Sequence, residues 1–113
     1  MLSVQMSSFR FRTDLEPSVT RVEAEILKAI HAIVPTAELK RIGPLGTDVS
    51  SSWSCWIVTA TDVERDRIKN DIALMARLWK VSSDAGYAPD SFMIQSNETV
   101  ERDYKGSWFY AMR

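Results

Sequence analysis

Among the side chains of this 113-residue sequence that could do chemistry, His31 and Cys55 are each the sole residue of their type. His31 falls at the edge of an apolar helical stripe. To act as a general base it needs an orienting partner and a nucleophile in reach. No Ser or Cys is placed by a nucleophile motif such as G-x-S-x-G, so the expectation is a structural or surface histidine. Cys55 lies mid-strand between Trp53 and Trp56. An activated thiolate wants positive charge or a helix N-terminus. Indole neighbours offer neither, and an inert, packed thiol is expected.

With one Cys and one His, a Cys/His zinc site within one chain is excluded, and so is an internal disulfide. No segment has the D-x-D-x-D-G spacing of a calcium loop, and no Gly-rich turn carries the Lys-Ser/Thr of a P-loop. No cofactor is implied. Asp62, Glu64, Asp66 and Asp71 cluster at and beyond the start of a predicted helix. A helix N-terminus favours negative charge by up to about 1 kcal/mol, which accounts for Asp62 and Glu64. Asp66 and Asp71 lie further in, interleaved with Arg65, Arg67 and Lys69. They read as a solvated ion-paired face or, more sharply, as an acidic docking patch.

Tryptophan is the least ordinary component, with Trp53, Trp56, Trp79 and Trp108. Trp79 has helical spacing and is expected in the core. Trp53 and Trp56 cannot share a face of one regular strand, so one must leave the helix-covered side. Trp108 and Tyr110 alternate with Phe109 and share a face of a predicted last strand. Exposed Trp and Tyr dominate binding hot spots. Aromatic strands can also stack RNA bases, but Ser51–Val58 lacks the basic and glycine positions of an RNA-recognition motif.

The composition agrees with a binding role and excludes several others. Hydrophobic residues are 45% and charged residues 26% of the chain, an ordinary globular balance. Fourteen Lys and Arg against fifteen Asp and Glu give a net charge of −1, without the basic excess that nucleic acid or an anionic membrane requires. No run of about 18 apolar residues spans a membrane. Met1–Arg12 lacks the pattern of a secretory signal, and Asn97-Glu98-Thr99 is read as a chance sequon. A cytoplasmic, single domain over residues 1–113 is expected.

The elements that must position these side chains follow from periodicity. Residues 3–12 read as a strand with a register change between Met6 and Phe9. Thr13-Asp14-Leu15-Glu16 fits a capping box, with Pro17 in the first turn and an apolar stripe at 15, 19, 22, 26, 30 and 33 that Pro35 stops. Residues 37–43 read as a second strand, ended by Gly43-Pro44-Leu45-Gly46, and 46–52 as a loop. Residues 53–60 are apolar on both faces, which predicts a central strand. Thr61-Asp62-Val63-Glu64 is a second capping box. It opens a helix to about Ser83 through Ile68, Ile72, Met75 and Trp79, widened by Leu74 and Leu78. An irregularity is read at Asn70-Asp71, and Gly86 supplies a left-handed cap. Residues 91–96 read as a strand. The charged stretch 98–105 is a helical turn, with Glu98 and Arg102 pairing at i, i+4, or part of a hairpin. Residues 107–112 read as a last strand.

This order, β-α-β-β-α-β plus a terminal strand, predicts an α+β, ferredoxin-like sandwich with two helices on one face of an antiparallel sheet. The function expected is a non-enzymatic protein-binding module, most specifically a toxin-neutralising immunity or inhibitor protein that masks a partner's active site. Asp62, Glu64, Asp66, Glu101 and Asp103 would complement a basic toxin domain, and Trp108 or Tyr110 would anchor it. The alternative is a ferredoxin-like homodimer with a small-molecule pocket between its sheets and cofactor-free chemistry. An RNA-binding module ranks third.

Overall fold

The computed structural model describes residues 10–42 and 52–112, with side chains from residue 18 onward. Helix α1 (Arg10–His31) leads into strand β1 (Glu38–Ile42). Strand β2 (Ser54–Thr59), helices α2 (Asp62–Lys69) and α3 (Ile72–Asp84), strand β3 (Ser91–Ser96) and helices α4 (Asn97–Tyr104) and α5 (Trp108–Ala111) follow. The fold is α+β with a three-stranded mixed sheet in the order β1-β2-β3. β1 pairs antiparallel with β2, Lys40 opposite Trp56, and β2 pairs parallel with β3, Trp56 opposite Met93.

The sequence expectation is met in the central place of β2, whose residues from Cys55 to Thr59 are all buried. It is corrected in the topology. In a ferredoxin-like sandwich the two strands joined by each crossover helix have another strand between them, and all neighbours are antiparallel. Here the α2–α3 crossover lays β3 directly beside β2 and parallel to it. The first predicted strand is also corrected where it can be compared. Arg10, Phe11 and Arg12 are helical, and residues 3–9 lie outside the described residues. Phe11 stands four residues before Leu15, so the 3.6-residue stripe extends back through it and outweighs the short alternation. Thr13 is therefore inside α1 and is not its cap, and Pro17 lies past the first turn. The predicted breaker at 43–46 and most of the loop at 46–52 fall outside the described residues.

One face of the sheet carries the core. Val19, Val22, Ile26 and Ile30 of α1, Ile68 of α2, and Leu74 and Leu78 of α3 close on Trp53, Cys55 and Ile57. Leu39, Phe92 and Ile94 of the outer strands pack against the same cluster. Trp53 is 2% exposed, and its Nε1–H donates to the Tyr87 carbonyl at 3.1 Å. Trp56 and Val58, on the opposite face, are buried as well.

Thr61 caps α2 as read: its hydroxyl accepts from the Glu64 amide at 3.2 Å and Glu64 returns to the Thr61 amide at 3.4 Å. The irregularity at Asn70-Asp71 is a full break, and Asp71 caps α3 by accepting from the Leu74 amide at 2.9 Å. That restart changes the helical phase. Leu74 and Leu78 become core, Ile72 is 84% exposed, and Trp79 is 40% exposed, set edge-on to Phe92 with centroids 4.7 Å apart. The expectation of a core Trp79 is corrected accordingly. Gly86 takes φ 102° after the Ala85 cap, as expected.

The charged stretch forms α4, and the predicted last strand is instead the short helix α5. Ser107 caps α5, accepting from the Tyr110 amide at 3.4 Å. Lys105 and Gly106 before it are both left-handed, φ 53° and 83°, and this reversal turns the chain away from an extended path. No helix among the described residues is long and apolar enough to cross a membrane.

Candidate functional site

Because β2 and β3 are parallel, their C-terminal ends lie at one edge of the sheet, and the helices that follow each, α2 and α4, start there together. Two helix N-termini side by side place positive dipole ends and unpaired amides close to one another. Carboxylates of the chain answer the start of α2, and the Ala60 carbonyl with the Ser96 hydroxyl answers that of α4. The Asp62 amide donates to Glu98 Oε1 at 2.8 Å, and the Glu98 amide donates to the Ala60 carbonyl at 3.2 Å. Glu64 Oε1 accepts from the Ala60 amide at 3.1 Å.

Asp62 is the hub of this junction. Its Oδ1 accepts from the hydroxyls of Ser96 and Thr99, the latter at 2.6 Å, and from Arg65 Nη1 at 3.3 Å. Its Oδ2 accepts from Arg102 Nη1 at 3.0 Å. Arg65 also donates to Thr99 Oγ1 at 2.8 Å and Gln95 Oε1 at 3.2 Å. The Ser96 and Thr99 hydroxyls, then the Arg102 guanidinium, hold the Asp62 carboxyl well below its ordinary range, against the opposing effect of desolvation. Asp103, then Asp62, raises the Arg102 guanidinium further above its already high value.

The predicted site residues separate into two sets. Asp62 and Glu64 are committed to this junction. Asp66 accepts from Arg65 Nε at 3.0 Å and Asp103 from Arg102 Nε at 3.1 Å, so Asp62, Asp66 and Asp103 share two guanidiniums. Glu101 and Asp103 are exposed on α4. Trp108 is half-buried with Lys40 Nζ 5.3 Å from its ring centroid, a cation–π distance. Tyr110 is 59% exposed beside Phe109, 68% exposed, their rings edge-to-face at 5.2 Å.

Sequence reasoning missed Ser96, Thr99, Arg65 and Arg102 as partners of Asp62. The available signal was Ser96 ahead of the charged stretch, an N-cap residue whose hydroxyl accepts from the Thr99 amide at 3.0 Å. Glu98 serves the α2 amide, and Arg102 reaches Asp62 and Asp103, where an i, i+4 pair was expected. Phe109 was passed over because the strand reading set it on the face opposite Trp108 and Tyr110.

The remaining chemical candidates have structural partners. His31 Nε2 donates to the Ala37 carbonyl at 2.8 Å, tying the end of α1 to the start of β1. Cys55 is fully buried, and burial, then the Glu23 carboxylate, pushes its thiol up to about 12. Among the described residues, no group of three or more His, Cys, Asp or Glu is placed to hold a metal ion. Comparison of the chain with protein-family models, with curated proteins and with solved structures yields no match.

Proposed function

We propose that the chain is a non-enzymatic, cytoplasmic protein-binding module, and in its most specific form an immunity-type inhibitor that covers the active site of a basic toxin. The observation that carries this reading is the pair Phe109 and Tyr110, both more than half exposed on α5, one tight turn from the exposed carboxylates of Glu101 and Asp103. Aromatic rings of this kind supply the desolvated centre of an interface, and flanking carboxylates steer and orient a cationic partner. Asp66 extends the same acidic character on α2. Asp62 contributes by holding α4 in place and Glu64 by capping α2, since their oxygens already accept from the chain's own donors.

The test is capture of the tagged protein from its native host at moderate salt, with identification of what remains bound and light scattering of the free protein. A stoichiometric basic protein whose enzymatic activity falls on titration with this chain supports the reading. A clean homodimer that retains no other protein overturns it in favour of the pocketed dimer.

A further inference from the structure

Residues 97–112 are attached to the rest of the domain differently from the two long helices, α1 and α3. α1 contributes Val19, Val22, Ile26 and Ile30 to the core, all fully buried, and α3 contributes Leu74 and Leu78. In α4 only Thr99 and Val100 are buried, residues 101–106 are all exposed, and α5 buries none of its side chains. Val100 is thus the single buried apolar side chain across both helices. The attachment at the near end is polar: Asp62 takes the Thr99 hydroxyl and the Arg102 guanidinium, Arg65 reaches Thr99, and Glu98 takes the Asp62 amide. At the far end Trp108 rests against Lys40. Lys40 is the register partner of Trp56, so Trp108 reaches the side of the sheet that carries Trp56 and Val58.

We propose that α4 and α5 form a strap, clasped to the body of the domain by the Asp62 carboxylate and able to detach as one unit while α1, α2, α3 and the sheet stay folded. Elements with few buried apolar contacts open at lower free energy than the core. Charge-assisted hydrogen bonds are directional and are lost together when their common acceptor is removed. Opening at the clasp lifts Trp108 away from Lys40. The strap stands independently of the binding reading, because it follows from how the helices are fastened and not from what they touch outside the chain.

Hydrogen–deuterium exchange on the full chain tests it, comparing wild type with Asp62→Asn. Loss of the shared charged acceptor is expected to speed amide exchange across 98–112 by at least about tenfold, with α1, α3 and β2 unchanged. Faster exchange spread evenly over α1, α3 and the sheet would overturn the strap, as would unchanged protection in 98–112. Should Asp62→Asn not fold, Arg102→Ala decides the matter. Its side chain is 55% exposed and it removes one donor, and the same localised pattern, smaller in size, is expected. Its absence overturns the proposal.

Discussion

Cys55 and Asp62 are both perturbed, in opposite directions and for opposite reasons. Burial and the Glu23 carboxylate raise the Cys55 thiol to about 12. At about pH 8 it should therefore be neutral and sealed, and Ellman's reagent should titrate no thiol in the native chain and one after denaturation. Labelling of the folded protein within minutes would contradict this. Asp62 is lowered from its ordinary 3.8 by Ser96, Thr99 and Arg102. A carboxyl that is more acidic when folded adds stability that is complete above its unfolded value and lost as pH falls through the folded one. Wild type should hold constant stability above about pH 5 and lose it progressively below about pH 4. Asp62→Asn should be less stable at neutral pH and show a flatter acid limb in urea titrations read by far-UV dichroism. Trp53→Phe leaves the buried Tyr87 carbonyl without its indole donor. It should cost about 2 kcal/mol in urea-induced unfolding.

At the scale of the elements, caps and breaks carried most of what could be read in advance. Thr61 and Glu64 declared a helix start because both arms of the capping box lie within four residues. Asn70-Asp71 was visible as an interruption, and its consequence, the phase change that exposes Trp79 and buries Leu78, was not. Periodicity assumes one continuous helix, so a restart two residues later rotates every subsequent side chain. Residues 107–112 defeated the alternation rule for a related reason. Four aromatic and small residues fit either period, and the choice was made by Ser107 and by two successive left-handed residues. The Asp62 hub was beyond sequence reasoning, because Ser96, Thr99 and Arg102 lie 34 to 40 positions from Asp62 and meet it only through the parallel pairing of β2 and β3. Two measurements follow. Asp71→Ala removes the α3 cap and should cost about 1 kcal/mol in equilibrium unfolding. Gly106→Ala places a Cβ at φ 83°, 2.9 Å from Glu101 Oε2. The carboxylate can swing aside and the backbone cannot, so a loss of about 1 kcal/mol is expected from the dihedral.

At the scale of the whole molecule, the described residues divide into a body and an appendage. The body is α1, α2, α3 and the sheet, closed on Trp53, Cys55, Ile57 and their helical partners. The appendage is α4 with α5, polar at its root and aromatic at its tip. Such an arrangement leaves Phe109 and Tyr110 more than half exposed without exposing the core. Native capture with paired baits, wild type against the double variant Phe109→Ala and Tyr110→Ala, tests this most directly. Both side chains are more than half exposed, so the double variant should remain folded while losing binding. The expected result is one stoichiometric protein on the wild-type bait and none of it on the variant. The same protein on both baits in equal amount, with both folded, would contradict the assignment of α5 as the binding surface.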